Sequence, residues 1–195
     1  MLTCPHSCEC GYDGLAPIRA VKGDERMANP LVVLLMGSDG DLPTVKEACA
    51  VLQDFSVAFE AHVLSAHRTP DDLTAFVRRA EQSGVLVFIA AAGGAAHLAG
   101  VVAAHTTRPV IGIPIQTNAL GGLDSLLSTV QMPGGIPVAT MAIGAGGARN
   151  AGLFAVQILA LADAALAAKL QEYRVKQVEQ VRQKDKKIQT ELENG

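Results

Sequence analysis

Charge is what the middle of this chain lacks. Between residues 82 and 168 the only charged side chains are Arg108, Asp124, Arg149 and Asp163. One domain cannot hide so long an uncharged stretch within itself, so the composition predicts that several copies of the chain cover one another. An Ala-rich, weakly polar surface is the plainer alternative. Basic residues are not in excess either: 16 Lys and Arg stand against 19 Asp and Glu, a formal net charge of -3. No cationic surface is left to neutralise a nucleic-acid backbone, and nucleic acid is not expected as a partner. Of the four cysteines, Cys4, Cys8 and Cys10 crowd the first ten residues and Cys49 stands alone in a helical pattern. That is no disulfide framework.

Other absences narrow the class further. The first residues have no basic flank followed by an apolar run, so no secretory signal is read there and a cytoplasmic location is expected. The stretch most like a membrane span, residues 151–168, carries Gln157 and Asp163 and is short for a bilayer. A helix apolar on nearly every side is more often buried in protein, and no membrane partner is expected. The Cys4, Cys8, Cys10 cluster with His6 lacks a second ligand pair at zinc spacing, so no metal site is assigned to it. Without a nucleophile elbow or a Walker loop, hydrolase and ATP-driven readings weaken.

What is present is a regular alternation. Residues 1–29 have no period and read as a poorly ordered extension, residues 30–168 as one catalytic domain, and residues 169–195 as a charged helix or tail. Within the domain an apolar run at 31–36 ends in Gly37-Ser38-Asp39-Gly40-Asp41, and a helical pattern follows over 43–54. Strands are expected at 56–63, 85–91, 110–113 and 138–143, with helices over 70–83, 95–104 and 123–130. Residues 148–189 read as one long helix or two. Apolar strands alternating with helices predict an α/β fold: a three-layer αβα sandwich on a flavodoxin-like parallel sheet, with a C-terminal helical extension. Ligands of such sheets collect at the carboxyl ends of the strands.

Three loops fall at those ends. Gly37-Ser38-Asp39-Gly40-Asp41 leaves a strand and opens a helix, where backbone N–H groups and the Ser38 hydroxyl favour a phosphate. Asp41 suits ribose hydroxyls or, equally, caps the helix. Ser65-Ala66-His67-Arg68-Thr69-Pro70 gathers a hydroxyl, an imidazole and a guanidinium. Arg68 can grip phosphate in two places, and His67 is the proton carrier of choice, against the alternative of an ordinary loop histidine. Gly93-Gly94-Ala95-Ala96-His97-Leu98 again starts a helix, with bare backbone open to a carboxylate. His62 and His105 have no partner residues in sequence and are read as structural.

Those loops, together with Asp124-Ser125-Leu126-Leu127-Ser128 and Val130-Gln131-Met132-Pro133, resemble the class I PurE family, the 5-(carboxyamino)imidazole ribonucleotide mutases of de novo purine biosynthesis. The resemblance implies an isomerase that moves a carboxylate from the exocyclic nitrogen of a ribonucleotide to its ring carbon, giving 4-carboxy-5-aminoimidazole ribonucleotide without ATP, metal, biotin or any other cofactor. Carried over by motif, it assigns Ser38, Asp41, Ser65 and Arg68 to the ribonucleotide, Gly37, Gly40, Gly94 and Ala95 to backbone contacts, and His67 and His97 to catalysis. It implies that His67 protonates the carbamate nitrogen, that carbon dioxide stays in a closed pocket which Gln131-Met132-Pro133 lines or closes, and that the neutral imidazole then takes the ring hydrogen. It implies a homo-octamer, and a functional link to an upstream carboxyaminoimidazole ribonucleotide synthetase. One departure is Gly40, where bacterial relatives commonly carry a second serine, and Asp39 adds a negative charge beside it. The alternatives are a class II aminoimidazole ribonucleotide carboxylase using free carbon dioxide, which commonly has lysine where Arg68 stands, and a noncatalytic nucleotide-binding module.

Overall fold

The computed structural model describes residues 29–193. Residues 1–28, with the Cys4, Cys8, Cys10 and His6 cluster and nearly all of the expected extension, lie outside the described residues. The expected α/β architecture is present. The sheet comprises β1 (Val32–Met36), β2 (Phe59–Val63), β3 (Val87–Ala92), β4 (Val110–Pro114) and β5 (Ala139–Thr140), in the order β2-β1-β3-β4-β5 with every pairing parallel. Every residue of β1 is buried, as a central strand covered on both faces requires.

Alternation along β1 divides the core in two. Val32, Leu34 and Met36 face the layer built by α1 (Leu42–Asp54) and α5 (Gly144–Ala160). Val33 and Leu35 face α2 (Pro70–Gln82) and α3 (Leu98–Ala104), among them Leu73, Val77 and Leu98. Each fully buried Val, Leu or Ile contributes roughly 1.5–3 kcal/mol, so both helical layers are held chiefly by apolar burial. The chain runs from β1 to β2 on one side and returns to β3 on the other, which places the strand-order reversal at the carboxyl end of β1. A crevice for ligands opens there.

Two expectations need correction. Residues 138–143 do not form one strand: only Ala139–Thr140 pair with β4, after the Met141 N–H has found the Gly112 carbonyl at 2.9 Å. The apolar run misled because Ile143 is spent against Gly122, where an added Cβ would meet Ile143 Cγ2 at 2.6 Å. Helix α5 then starts at Gly144, with φ +76°, rather than near residue 148. Of the two readings for the C-terminal segment, the pair of helices is correct. α6 (Ala164–Glu193) follows α5 after a break in which Asp163 accepts from the N–H groups of Ala165 at 2.9 Å and Leu166 at 3.0 Å, a side-chain N-cap.

The first turns of α6 lie on the domain, with Leu166 buried, Lys169 Nζ donating to the Phe55 carbonyl at 3.3 Å and Tyr173 against the Phe55 ring. Farther along, Val175, Val178, Val181, Ile188 and Leu192 are exposed. Among the described residues no helix is long and apolar enough to cross a membrane. Burial pushes the Cys49 thiol up to about 11, which keeps it protonated and inert at neutral pH.

The start of α5 yields a paired test. A Cβ at Gly147 would fall on the Ala142 carbonyl, whereas one at Gly146 meets open space. Gly147→Ala should destabilise the fold by about 3 kcal/mol, while Gly146→Ala should be neutral or stabilising by up to ~1 kcal/mol. Urea titrations of both variants check the contrast, and equal effects would contradict the close approach.

Candidate active site

The first loop leaves β1 and satisfies its own donors. Ser38 caps a short 3-10 turn, Asp39–Asp41: its hydroxyl accepts from the Gly40 N–H at 3.3 Å, while Asp41 Oδ2 accepts from the Ser38 N–H at 3.2 Å. Asp39 Oδ1 takes the Gly40 N–H at 3.0 Å and the Ser38 hydroxyl at 3.1 Å. Asp41 makes no side-chain bond to the start of α1; the capping it performs is of its own loop. Burial pushes its carboxyl above the ordinary range, opposed by the Ser38 and Gly37 N–H groups, reinforced by Asp39 and opposed again by Arg68.

The second loop is organised around one hydroxyl. Ser65 Oγ accepts from the backbone N–H groups of His67 at 3.3 Å and Arg68 at 3.2 Å, and from Arg68 Nε at 3.4 Å. Thr69 Oγ1 accepts from the Ser65 N–H at 3.0 Å and returns a bond to its carbonyl at 3.2 Å. Pro70 then opens α2, where its missing N–H costs nothing. Arg68 Nη2 reaches the Gly37 carbonyl at 2.6 Å and thereby ties the second loop to the first.

The third loop completes the constellation. His97 Nδ1 lies 2.9 Å from His67 Nε2, the rings edge to face with centroids 5.0 Å apart. A hydrogen bond between two ring nitrogens needs a proton on one and a lone pair on the other, so the contact holds a single shared proton. Both rings are exposed in the single chain. A proton can therefore be exchanged with a ligand from this pair.

The three loops enclose a cavity of about 350 Å³ lined by Gly37, Ser38, Asp41, Ser65, Ala66, His67, Arg68, Ala92, Gly93, Ala95, His97 and Leu98. Of the residues assigned from sequence, Gly37, Ser38, Asp41, Ser65, His67, Arg68, Ala95 and His97 are thus brought together. Gly40 and Gly94 are not in the lining. Their N–H groups are already donated, that of Gly40 to Asp39 and Ser38 and that of Gly94 to Ser125 Oγ at 2.9 Å, so neither is a free donor for a ligand. Met132 does not line the cavity within this chain; it seats on Gly100, where an added Cβ would meet its sulfur at 3.0 Å. His62 rests between Glu60, at 3.3 Å, and the Phe76 ring, away from the cavity, and His105 ends α3.

Sequence reasoning left the hydroxyls of α4 (Leu123–Val130) without a role. Ser125 and Thr129 are the only polar residues in the fully buried set among the described residues. No clear sequence signal marked them, because α4 also carries Asp124 and Ser128 and its Leu123, Leu127 and Val130 face outward. Two larger hollows, of about 590 and 560 Å³, lie at the opposite ends of the strands around Arg108 and Ser83. The first is lined by His105 with Arg78, Arg108 and Glu81, but both lie away from the carboxyl ends of the strands, where ligands of such sheets collect.

Comparison with known proteins bears on the family and the fold. A family model described as AIR carboxylase matches residues 31–180. The N5-carboxyaminoimidazole ribonucleotide mutase of Bacillus subtilis is 57% identical over 145 residues, covering 74% of this chain and 90% of its own length. The phosphoribosylaminoimidazole carboxylase of Saccharomyces cerevisiae is 49% identical over 166 residues, 85% of this chain but 29% of its own. The crystal structure of Treponema denticola PurE superposes with a TM-score of 0.74 at 26% identity, over 81% of this chain and 98% of that one.

Asp41 generates a test that needs no ligand. Because its carboxyl is raised in the folded chain, the folded state binds that proton more tightly than the unfolded state does. The linked stability is complete at low pH and is lost as pH climbs through the raised value. Asp41→Asn keeps an oxygen for the Ser38 N–H and removes the charge. Its thermal midpoint should exceed the parent's at neutral pH, with the gap closing in acid; a gap that does not change with pH contradicts the burial argument.

Proposed function

The chain belongs to the AIR carboxylase family, and within it we infer that it is an N5-carboxyaminoimidazole ribonucleotide mutase of purine biosynthesis, an isomerase. The observation that carries the mechanism is the 2.9 Å contact between His67 and His97 at the mouth of a cavity that also presents Arg68, Ser38 and Asp41. Arg68 takes the phosphate, joined by the Ser38 hydroxyl once it turns from Asp39, to which it donates in the free chain. Asp41, with one oxygen on the Ser38 N–H, has the other for a ribose hydroxyl. Asp39 already compensates the Gly40 N–H, so the phosphate relies on side chains in this loop more than on backbone.

His67 acts twice. As an imidazolium it gives its proton to the carbamate nitrogen; the N–C bond breaks, its electron pair stays on nitrogen, and carbon dioxide is released beside the amine. The electron-rich ring carbon attacks that carbon dioxide to form the new C–C bond, and the neutral His67 removes the ring hydrogen. No atoms are gained or lost, and the imidazolium is restored. His97 supports His67 as the hydrogen-bond partner of its Nε2. The Ala95 N–H, which has no partner among the described residues, points to stabilisation of the migrating carboxylate.

Retaining carbon dioxide needs a closed site, and His67 and His97 are exposed in one chain. That supports closure by neighbouring copies, in a homo-octamer. Leu120, Leu123, Leu127 and Val130, all exposed beside the site, are the apolar surface such copies would cover. Residues 30–168 then form the catalytic domain and residues 169–193 an appended helix. A cytoplasmic location and supply of substrate by a separate synthetase complete the reading.

Two measurements test it. The protein should convert N5-carboxyaminoimidazole ribonucleotide at a rate independent of added bicarbonate; activity only with aminoimidazole ribonucleotide and bicarbonate would make it a carboxylase instead. His67→Asn should lower kcat by about 10³-fold with ribonucleotide binding retained. Parental turnover in that variant excludes His67 as the proton carrier.

A further inference from the structure

We propose that Ser125 is a positioning residue for the reaction: its buried hydroxyl sets the Gly94 peptide, and through it the direction of the Ala95 N–H and the His97 ring. The proposal rests on the mutase reading for its kinetic consequence only.

Ser125 is fully buried, and a buried hydroxyl is costly unless it is used. Its Oγ accepts from the Gly94 N–H at 2.9 Å. Two more hydroxyls of α4 approach the same loop, Ser128 Oγ at 3.2 Å from the Gly94 carbonyl and Thr129 Oγ1 at 3.4 Å from the Ala96 carbonyl. Each has a shorter contact with a carbonyl of its own helix, at 2.7 Å in both cases. A hydroxyl has one proton to donate, so those two are largely spent within α4. Ser125, acting as acceptor, makes the one strong bond from α4 to the loop.

Gly94 is the hinge of that loop. It stands at φ +68° with no atom within 4 Å of a would-be Cβ, and the peptide that enters it is anchored through its N–H by Ser125. After it, the Ala96 N–H closes on the Gly94 carbonyl at 2.9 Å and the His97 N–H on the Ala95 carbonyl at 2.8 Å. Each torsion downstream inherits the orientation of the Gly94 peptide. Release of that peptide would let His97 drift from His67, and a displacement of about 1 Å in a reacting group costs on the order of 10²-fold in rate. Substrate phosphate and ribose, held by the other two loops, would hardly notice.

The test compares Ser125→Ala with the parent in the full chain. We expect kcat to fall about 10²-fold while KM for the ribonucleotide stays within about threefold, the split that marks loss of a transition-state alignment rather than of binding. In ligand-free protein carrying nitrogen-15 labelled histidine, the shifts of His67 Nε2 and His97 Nδ1 should move toward those of isolated rings. Parental kcat overturns the proposal, and so do unchanged ring shifts, even with slower turnover. Should Ser125→Ala fail to fold, Ser125→Cys keeps the volume with a weaker acceptor and decides by the same readouts. Absence of mutase activity in the parent would sink the mutase reading alone, since the ring shifts report on positioning without any turnover.

Discussion

A hydrogen bond between two imidazole rings joins the loops of the candidate site. His67 and His97 lie thirty residues apart in sequence and their ring nitrogens are 2.9 Å apart in space. That distance is set by the strand order. β2 and β3 flank β1, so the loops carrying the two rings start roughly 10 Å apart, two strand spacings, and must lean toward each other across the end of β1. The Gly37 carbonyl, at the end of β1, receives Arg68 and so anchors one of the approaching loops.

The loops reach this geometry by consuming their own polarity. Ser65 gathers three donors, the first loop closes on Ser38, Asp39 and Asp41, and Gly94 is taken by α4. Rigid loops in which most backbone donors are already bound present few free groups; among those left are the remaining N–H groups of Arg68, the outer oxygen of Asp41, the Ala95 N–H and the imidazole pair. Preorganisation of this kind removes reorganisation cost from the chemical step. It also explains how a loop bearing Asp39 tolerates an anionic ligand, because the Asp39 carboxylate is turned onto Ser38 and Gly40.

The core supplies the rigidity beneath. Two apolar layers pack on alternate residues of β1, and almost no polar group interrupts them; the two buried hydroxyls, Ser125 and Thr129, both stand on α4 between the sheet and the third loop. Gly112 on β4 belongs to the same arrangement, since a Cβ there would fall against Thr129 Cγ2. Small residues in the strand let the helix sit close enough for its hydroxyls to reach the loop. Packing in the core and alignment in the site are thus one constraint.

From sequence alone the alternation of strand and helix, the three loops at the strand ends and the residues His67, Arg68, Ser38, Asp41 and His97 were legible, because apolar periodicity and loop chemistry are local properties of a chain. The length of β5, the early start of α5 and the break at Asp163 were not, because apolar residues such as Ile143 carry no mark of which neighbour they will meet. Nor could spacing tell that the N–H groups of Gly40 and Gly94 are already spent, or that Ser125 spends one of them. Which donors remain free depends on partners brought from distant positions, and only the folded arrangement of β1, β2, β3 and α4 decides that.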